Sequence, residues 1–172
     1  MKGKITMYYN PYPCPHWGNP PLFPPDYWRP PLIDLKDYGA DPFVVNIEEA
    51  TLQNPNFRTA LWTGKHLQLT LMSIEIGDDI GLEVHPDVDQ FLRIEQGQGI
   101  VLMGDNKNNL YFQRRVSDNY AIFVPAGIWH NVINTGCTPL KLYSIYAPPE
   151  HPHGTIHRTK ADAEKAKERK SY

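Results

Sequence analysis

The chain has 172 residues, the length of one domain with a single hydrophobic core. Apolar residues make up 41% and charged residues 21%, so the composition excludes both a wholly disordered chain and a membrane protein. Seventeen Lys and Arg residues against 19 Asp and Glu residues give a formal net charge of −2, which offers no basic surface for nucleic acid or anionic lipid. We therefore expect neither nucleic acid nor a membrane among its partners.

The cysteine content and the first residues of the chain bear on its compartment. The two cysteines, Cys14 and Cys137, have the spacing of neither a disulfide framework nor a paired zinc motif. The opening segment, MKGKITMYYNPYPCP, lacks the apolar stretch of a secretory signal. Together these observations predict a cytoplasmic protein.

Proline is concentrated at the start of the chain, where residues 1–42 contain ten of the 17 prolines. Each proline fixes φ and removes a backbone donor, so this region is predicted to be an extended Pro/aromatic-rich arm rather than a helix or a central strand. Its many aromatic residues argue against a solvated tail, because disordered segments are usually poor in them. We expect the arm to pack on its own domain or on a partner subunit, with an aromatic-grooved module or a coat-like assembly as alternatives.

From residue 43 onward, apolar and polar residues alternate and are interrupted by Gly, Asn and Asp. This pattern predicts an antiparallel β domain over residues 43–147, arranged as a sandwich or a barrel. The predicted strands are 43–47, 59–62, 66–75, 81–85, 90–95, 99–103, 110–115, 121–124, 129–134 and 140–146.

Residues 148–172 form the predicted C-terminal tail. Within it, RTKADAEKAKERK is expected to form a short helix with Thr159 as its N-cap. This segment has six basic and three acidic residues but almost no apolar stripe, so we expect a solvated helix or a frayed end rather than a docked helix. The preceding histidines, His151, His153 and His157, are interpreted as part of a surface loop, with binding of an adventitious metal ion or closure of the barrel mouth as the alternatives.

The segment GLEVHPDVDQFLRIEQGQG carries the strongest functional signal. In a strand, Glu83 and His85 at positions i and i+2 point to the same side. After a turn at PDVD, Gln90 begins the next strand on the face that also carries Leu92. About 40 residues after Gln90, VPAGIWHNVIN supplies His130 behind a Pro-x-Gly turn. The four polar side chains are predicted to converge in an otherwise apolar barrel interior.

An ionised carboxylate in such an interior is costly unless it is paired with or bound to a cation. No Lys or Arg is expected on this inner face, so the sequence predicts a divalent metal ion there. Mixed oxygen and imidazole ligands suit Mn, Fe, Co, Ni or Zn rather than a metal that selects thiolates. Taken singly, each residue is more often a core or edge residue, and the joint spacing is what favours a metal site.

Two segments resemble the motifs of the cupin superfamily, GxxxxxHxHxxx(x)ExxxxxxG and GxxxxxPxGxxHxxxN. The second motif matches at four positions, namely Pro125, Gly127, His130 and Asn134. Asn119 stands where this motif has its first glycine.

In the first motif, Glu83 occupies the position of the first histidine, His85 that of the second, and Gln90 that of the glutamate. The motif therefore keeps one carboxylate, but that carboxylate stands at the position of the first histidine instead of the position of the glutamate. Carried over position by position, the resemblance implies Glu83, His85, Gln90 and His130 as metal ligands. It also implies an all-β fold, a cupin jelly-roll β-barrel that usually forms a homodimer, with the metal near its centre.

Among cupins, the chain is similar to small single-domain members that are often likened to mannose-6-phosphate isomerases. Type I enzymes of that class also use one Gln, one Glu and two His. Phosphosugar isomerases need basic side chains for the phosphate, however, and no Arg or Lys cluster is expected near the inferred ligands. Three functions stay open: a metal-dependent isomerase of a sugar or keto acid, a metal-dependent dioxygenase, and a non-catalytic small-molecule-binding or coat-like protein.

Further pocket candidates lie in KHLQLTLMSIEI, where His66, Gln68 and Thr70 alternate with leucines. This polar face is either exposed to solvent or part of the pocket wall. In the second case, His66 and Glu83 are the candidates for moving a proton at a bound substrate. The predicted substrate-pocket residues are Gln68, Thr70, Leu92 and Tyr143.

Overall fold

The computed structural model describes residues 32–170, which contain nine strands and two helices. Residues 1–31, which include most of the predicted arm, lie outside this range. The prediction about what the arm packs against therefore concerns residues that the structure does not describe. The helices are α1 (Ile47–Gln53) and α2 (Lys160–Lys170). The strands are β1 (Arg58–Thr63), β2 (Gln68–Ile74), β3 (Asp89–Gln96), β4 (Gln98–Gly104), β5 (Phe112–Ser117), β6 (Ala121–Val124), β7 (Trp129–Asn134), β8 (Leu140–Ala147) and β9 (Ile156–His157).

The strands form two antiparallel sheets. The larger sheet has the order β6-β3-β8-β2-β1-β9, and the smaller has the order β5-β4-β7. Every paired neighbour is antiparallel. The predicted all-β fold with a short C-terminal helix is therefore confirmed. Neither described helix is long and apolar enough to cross a membrane.

The hydrophobic core lies between the inner faces of the two sheets. Residues that alternate along the strands supply it, among them Met72 on β2, Leu92 on β3, Val101 on β4, Val132 on β7 and Leu142 on β8. On the larger sheet this inner face continues into a polar end of the barrel, formed by buried Gln68, Thr70, Gln90, Ser144 and Tyr146.

The outer face of the larger sheet is also covered. Leu61 and Leu71 are buried there against Ala50 of α1, and apolar residues of the segment before α1 pack around them. Strand β2 is buried on both faces. Its polar side chains point into the barrel, and its leucines pack toward α1. Tyr143 belongs to this outer cluster, on the face of β8 opposite to Tyr146.

The chain is not a strand at two of the predicted positions. The prediction for 43–47 is wrong because Asn46 caps a helix instead: its Oδ1 accepts a hydrogen bond from the Glu49 backbone N–H at 3.3 Å, and α1 follows. At 81–85, Gly81 has a φ of +83°, and Glu83 makes only an isolated bridge with His130. The neighbouring residues therefore form no ladder there.

The backbone conformation of Asn119 explains why this residue can stand where the second motif has a glycine. Its φ is 70°, in the left-handed region that glycine enters freely and asparagine tolerates. Its Oδ1 accepts a hydrogen bond of 2.8 Å from Arg93 Nη2. The turn before β6 needs this conformation, so an asparagine can stand where the motif has a glycine.

Helix α2 begins where the sequence predicts, but it is docked rather than solvated. Thr159 and Asp162 form a reciprocal cap, with N to O distances of 3.0 and 3.3 Å. Ala163 is 3% exposed and belongs to the core, and Lys160 Nζ lies 2.7 Å from Asp78 Oδ1 and 2.5 Å from Asp79 Oδ1. The predicted solvation is wrong because ion pairs and one small buried residue hold the helix without an apolar stripe.

Candidate metal centre

Glu83, His85 and His130 come together at the polar end of the barrel. One ligand atom of each lies within 4.8 Å of the others, and all three residues are buried. His85 Nε2 is 3.5 Å and His130 Nε2 is 3.7 Å from Glu83 Oε1. Bonds of about 2.0–2.2 Å to a central ion would place ligand atoms about 3.0–3.6 Å apart. The observed separations therefore leave room for one ion.

Backbone hydrogen bonds fix the three ligands relative to one another. Glu83 N donates to His130 O at 3.0 Å, and His130 N donates to Glu83 O at 2.9 Å. Gly127, in the Pro-x-Gly turn, donates its N–H to His85 O at 2.8 Å. The two motifs, far apart in sequence, are thus joined at the site itself.

The hydrogen bond at one ring nitrogen of His130 determines what the other nitrogen can do. Nδ1 lies 3.1 Å from Ile128 O, and a carbonyl oxygen only accepts, so the Nδ1–H donates there. Burial lowers the pKa of His130, although the Glu83 charge opposes that effect. A neutral ring then turns its Nε2 lone pair toward a carboxylate oxygen. Two such electron-rich atoms repel unless a cation lies between them.

His85 and Glu83 are strongly coupled. Burial alone would lower the pKa of His85, but the neighbouring Glu150 and Glu83 carboxylates raise it to about 9. Burial likewise opposes ionisation of Glu83, yet His85, Arg58 and Lys167 together hold its pKa well below the usual range. Glu83 is therefore an ionised carboxylate, as a metal ligand must be.

Glu150 orients His85 from outside the ligand group. Its Oε2 lies 3.4 Å from His85 Nδ1, the nitrogen that faces away from Glu83. Carboxylates in this position fix the ring and increase its basicity as a ligand.

We expect Glu150→Gln to weaken metal affinity about 10- to 100-fold, because the neutral amide no longer polarises the His85 ring. Competition with a chromophoric chelator measures the affinity. Glu164→Gln, at an exposed position of α2, is the matched control. Equal affinities of Glu150→Gln and the unmodified chain would contradict the orienting role.

Gln90, the predicted fourth ligand, is 3% exposed on β3. Its Nε2 donates to Ser144 Oγ at 2.9 Å, which leaves its Oε1 without a hydrogen-bond partner among the described residues. An amide oxygen held in this way is available to a cation, so the fourth-ligand role stays a prediction.

Buried polar atoms without a hydrogen-bond partner within residues 32–170 concentrate around this end of the barrel. Native proteins rarely leave such atoms unsatisfied, so a cluster of them indicates a group that binds there. These atoms include Glu83 Oε1, His85 Nε2, His130 Nε2, Gln90 Oε1, Thr70 Oγ1, Tyr146 Oη and Arg58 Nε.

The other predicted pocket residues have different surroundings. Gln68 fastens the C-terminal tail: its Nε2 donates to His151 O at 2.8 Å, and its Oε1 accepts from His151 N at 2.9 Å. Leu92 lies in the core. His66 is exposed in the turn between β1 and β2, and Tyr143 lies on the outer face of its sheet. The structure brings neither of these last two to the Glu83 group.

Two cations do reach the site, contrary to the expectation that no Lys or Arg lies near it. Arg58, at the start of β1, is 1% exposed, and Lys167 of α2 places its Nζ 2.5 Å from Glu83 Oε2. Sequence reasoning missed Lys167 because α2 was expected to be solvated. A single arginine opening the apolar run RTALW was the available signal for Arg58.

A cavity of about 560 Å³ lies over His85, a size typical of small-molecule sites. Its walls come from β1, from the tail after β8 and from α2. The tail therefore helps to close the barrel mouth, which was one alternative interpretation of its histidines. The lining includes Arg58, Glu150, His151, His157, Lys165, Lys167 and Arg169. A basic cluster is thus present beside the candidate ligands, and the expectation of none is wrong.

Comparison with known proteins identifies the family. The cupin domain profile matches residues 70–146. The uncharacterized protein YrkC of Bacillus subtilis (strain 168) is 75% identical over 129 residues, which cover 75% of this chain and 69% of YrkC. The uncharacterized protein L612 of Acanthamoeba polyphaga mimivirus is 46% identical over 115 residues, covering 66% and 70%. The crystal structure of BH2720 from Bacillus halodurans has 65% identity and a TM-score of 0.75, and the match covers 76% of this chain and 98% of BH2720. The chain belongs to the cupin family.

Proposed function

We propose that the protein is a mononuclear metal-dependent enzyme that isomerises a small sugar or keto acid. Glu83, His85 and His130 hold the ion, with Gln90 as the fourth ligand. The observation that supports this function is the convergence of three buried ligand atoms, one of them from His85, which also lines a cavity of small-molecule size. Mn, Fe, Co, Ni or Zn fits this donor set, and a bound ion supplies Lewis acidity to a carbonyl or hydroxyl oxygen.

Isomerisation also needs groups that take a proton from one substrate carbon, return a proton to the neighbouring carbon, and exchange protons with the adjoining oxygens. His151 lines the cavity, and its ring lies 5.1 Å, edge-on, from the Tyr146 ring. Tyr146 also packs edge-on against His85 at 5.7 Å. We assign His151 to bind a substrate oxygen and exchange a proton with it, and Tyr146 to position the His151 and His85 rings. The sequence also predicts that Glu83 and His66 move a proton at the bound substrate. This role stays a prediction for Glu83, whereas exposed His66 lies outside this arrangement.

Oxygenation is the second candidate reaction, because two histidines and one carboxylate form the donor set of non-haem iron oxygenases. A homodimer also stays a prediction, as do the small-molecule partner and the cytoplasmic location.

The test begins with elemental analysis of the purified protein, for which we expect about one transition-metal ion per chain. Candidate sugars and keto acids are then incubated with the metal-loaded protein in D₂O. Deuterium at a substrate carbon, seen by NMR without oxygen consumption, is the expected result. Oxygen uptake would favour the dioxygenase, and bound metal with no turnover would favour a binding protein. Absence of any bound metal would contradict the proposal.

A further inference from the structure

Arg58 is an unusual buried cation. It is 1% exposed and lines the cavity, yet its Nε has no hydrogen-bond partner among the residues the structure describes. Its Nη2 contacts Met72 Sδ at 3.8 Å, and its guanidinium carbon lies 5.6 Å from the centre of the Phe57 ring. A buried guanidinium is costly unless hydrogen bonds and an opposite charge compensate it. Sulfur and an aromatic ring compensate it only weakly.

Glu83 is the nearby carboxylate, but it serves other partners. Its Oε2 bonds Lys167, while its Oε1 faces His85 and His130. Glu83 and Arg58 influence each other through space without a hydrogen bond between them. The Nε–H of Arg58 is therefore left for a group that enters the cavity.

The cavity walls carry an excess of positive charge. Four cationic side chains line them, against two carboxylates; because Lys167 is already paired with Glu83, the surplus is one positive charge before the histidines are counted. The cations are Arg58, Lys165, Lys167 and Arg169, and the carboxylates are Glu150 and Asp162. A cleft lined by one sign of charge raises the local concentration of oppositely charged ligands.

We propose that this cavity binds a small oxyanion, a carboxylate or a phosphate group, and that Arg58 is its principal ligand. A guanidinium presents parallel N–H donors that match two oxygens of either group. Lys165 and Arg169, exposed on α2, attract the anion to the cavity entrance. The proposed function is needed only for the further claim that the rest of the ligand reaches Glu83, His85 and His130. Anion binding by the cavity does not depend on it.

The experiment is calorimetric titration of the full chain with three matched probes: glycerol 3-phosphate, glycerate and glycerol. We expect an anion to bind and glycerol not to bind, and the stronger of the two anions identifies phosphate or carboxylate as the recognised group. Arg58→Met should weaken that binding at least about tenfold, since a charge-assisted pair is lost. Arg115→Met, which removes an exposed arginine of β5, should leave it unchanged.

Each titration is run on metal-loaded and metal-stripped protein. Arg58-dependent binding to the stripped chain supports the anion site even if no metal ever binds, so the two proposals fail separately. If circular dichroism shows that Arg58→Met does not fold, Arg58→Lys and the Lys165→Gln/Arg169→Gln pair replace it, with an expected severalfold loss. Binding of glycerol as tight as that of both anions, or unaltered anion affinity in the folded variants, would overturn the inference.

Discussion

Replacing Glu83 or His130 with alanine is expected to reduce bound metal from about one ion per chain to background. Each substitution removes one of three converging ligand atoms from a site that has few other donors. Loss of a partner outside the ligand group costs about 10- to 100-fold in affinity, so loss of a ligand should cost at least about 100-fold. Elemental analysis after dialysis against a weak chelator measures the effect.

Two exposed positions offer matched controls for these variants. Glu75→Ala removes a carboxylate next to β2, and His153→Ala removes an imidazole whose side chain is 59% exposed in the tail. Both should keep their metal. Circular dichroism separates loss of ligand from loss of fold. If the folded Glu83 and His130 variants both retain a full equivalent of metal, the site lies elsewhere.

Asn134→Ala is expected to destabilise the fold by about 3 kcal/mol without removing the metal ligands. Asn134 is 1% exposed, and its Nδ2 donates to Ile74 O and Thr138 O, each at 2.9 Å, while its Oδ1 accepts from Gly136 N at 2.9 Å. Alanine leaves these backbone groups without their partner, at about 1–3 kcal/mol for each group that stays buried. This asparagine of the second motif thus joins the strands rather than binding the ion.

Urea unfolding monitored by fluorescence measures that loss, and Asn108→Ala, in the exposed loop after β4, is the control. The control should change stability by less than about 0.5 kcal/mol. Equal stability of the Asn134 and Asn108 variants would show that the motif asparagine is not structural. Loss of metal from a folded Asn134→Ala protein would assign it to the site instead.

The ligand geometry was accessible from the sequence because it depends on local spacing. Glu83 and His85 share a side at i and i+2 even though 81–85 forms no regular strand, since an extended backbone suffices. The alternation on β3 likewise placed Gln90 and Leu92 on one inward face. His130 was found through its motif, whose Pro-x-Gly turn bonds His85 directly.

Other features depend on tertiary packing that alternation does not encode. On β8, the inner face is buried and the outer face is half-buried beneath α1 and its preceding segment, so Tyr143 and Tyr146 look alike in sequence. Helix α2 docks by charge, through Lys160 and Lys167, and so lacks the apolar stripe by which docking is normally predicted. The basic residues that α2 contributes to the cavity walls were missed for the same reason.

The most direct measurement is anomalous X-ray scattering from a crystal of the metal-loaded protein, collected at the absorption edge of the bound element. The assigned site predicts one peak within about 2.0–2.3 Å of Glu83 Oε1, His85 Nε2 and His130 Nε2. A metal peak bound elsewhere on the chain, with these three atoms bridged only by water or by Lys167, would contradict it.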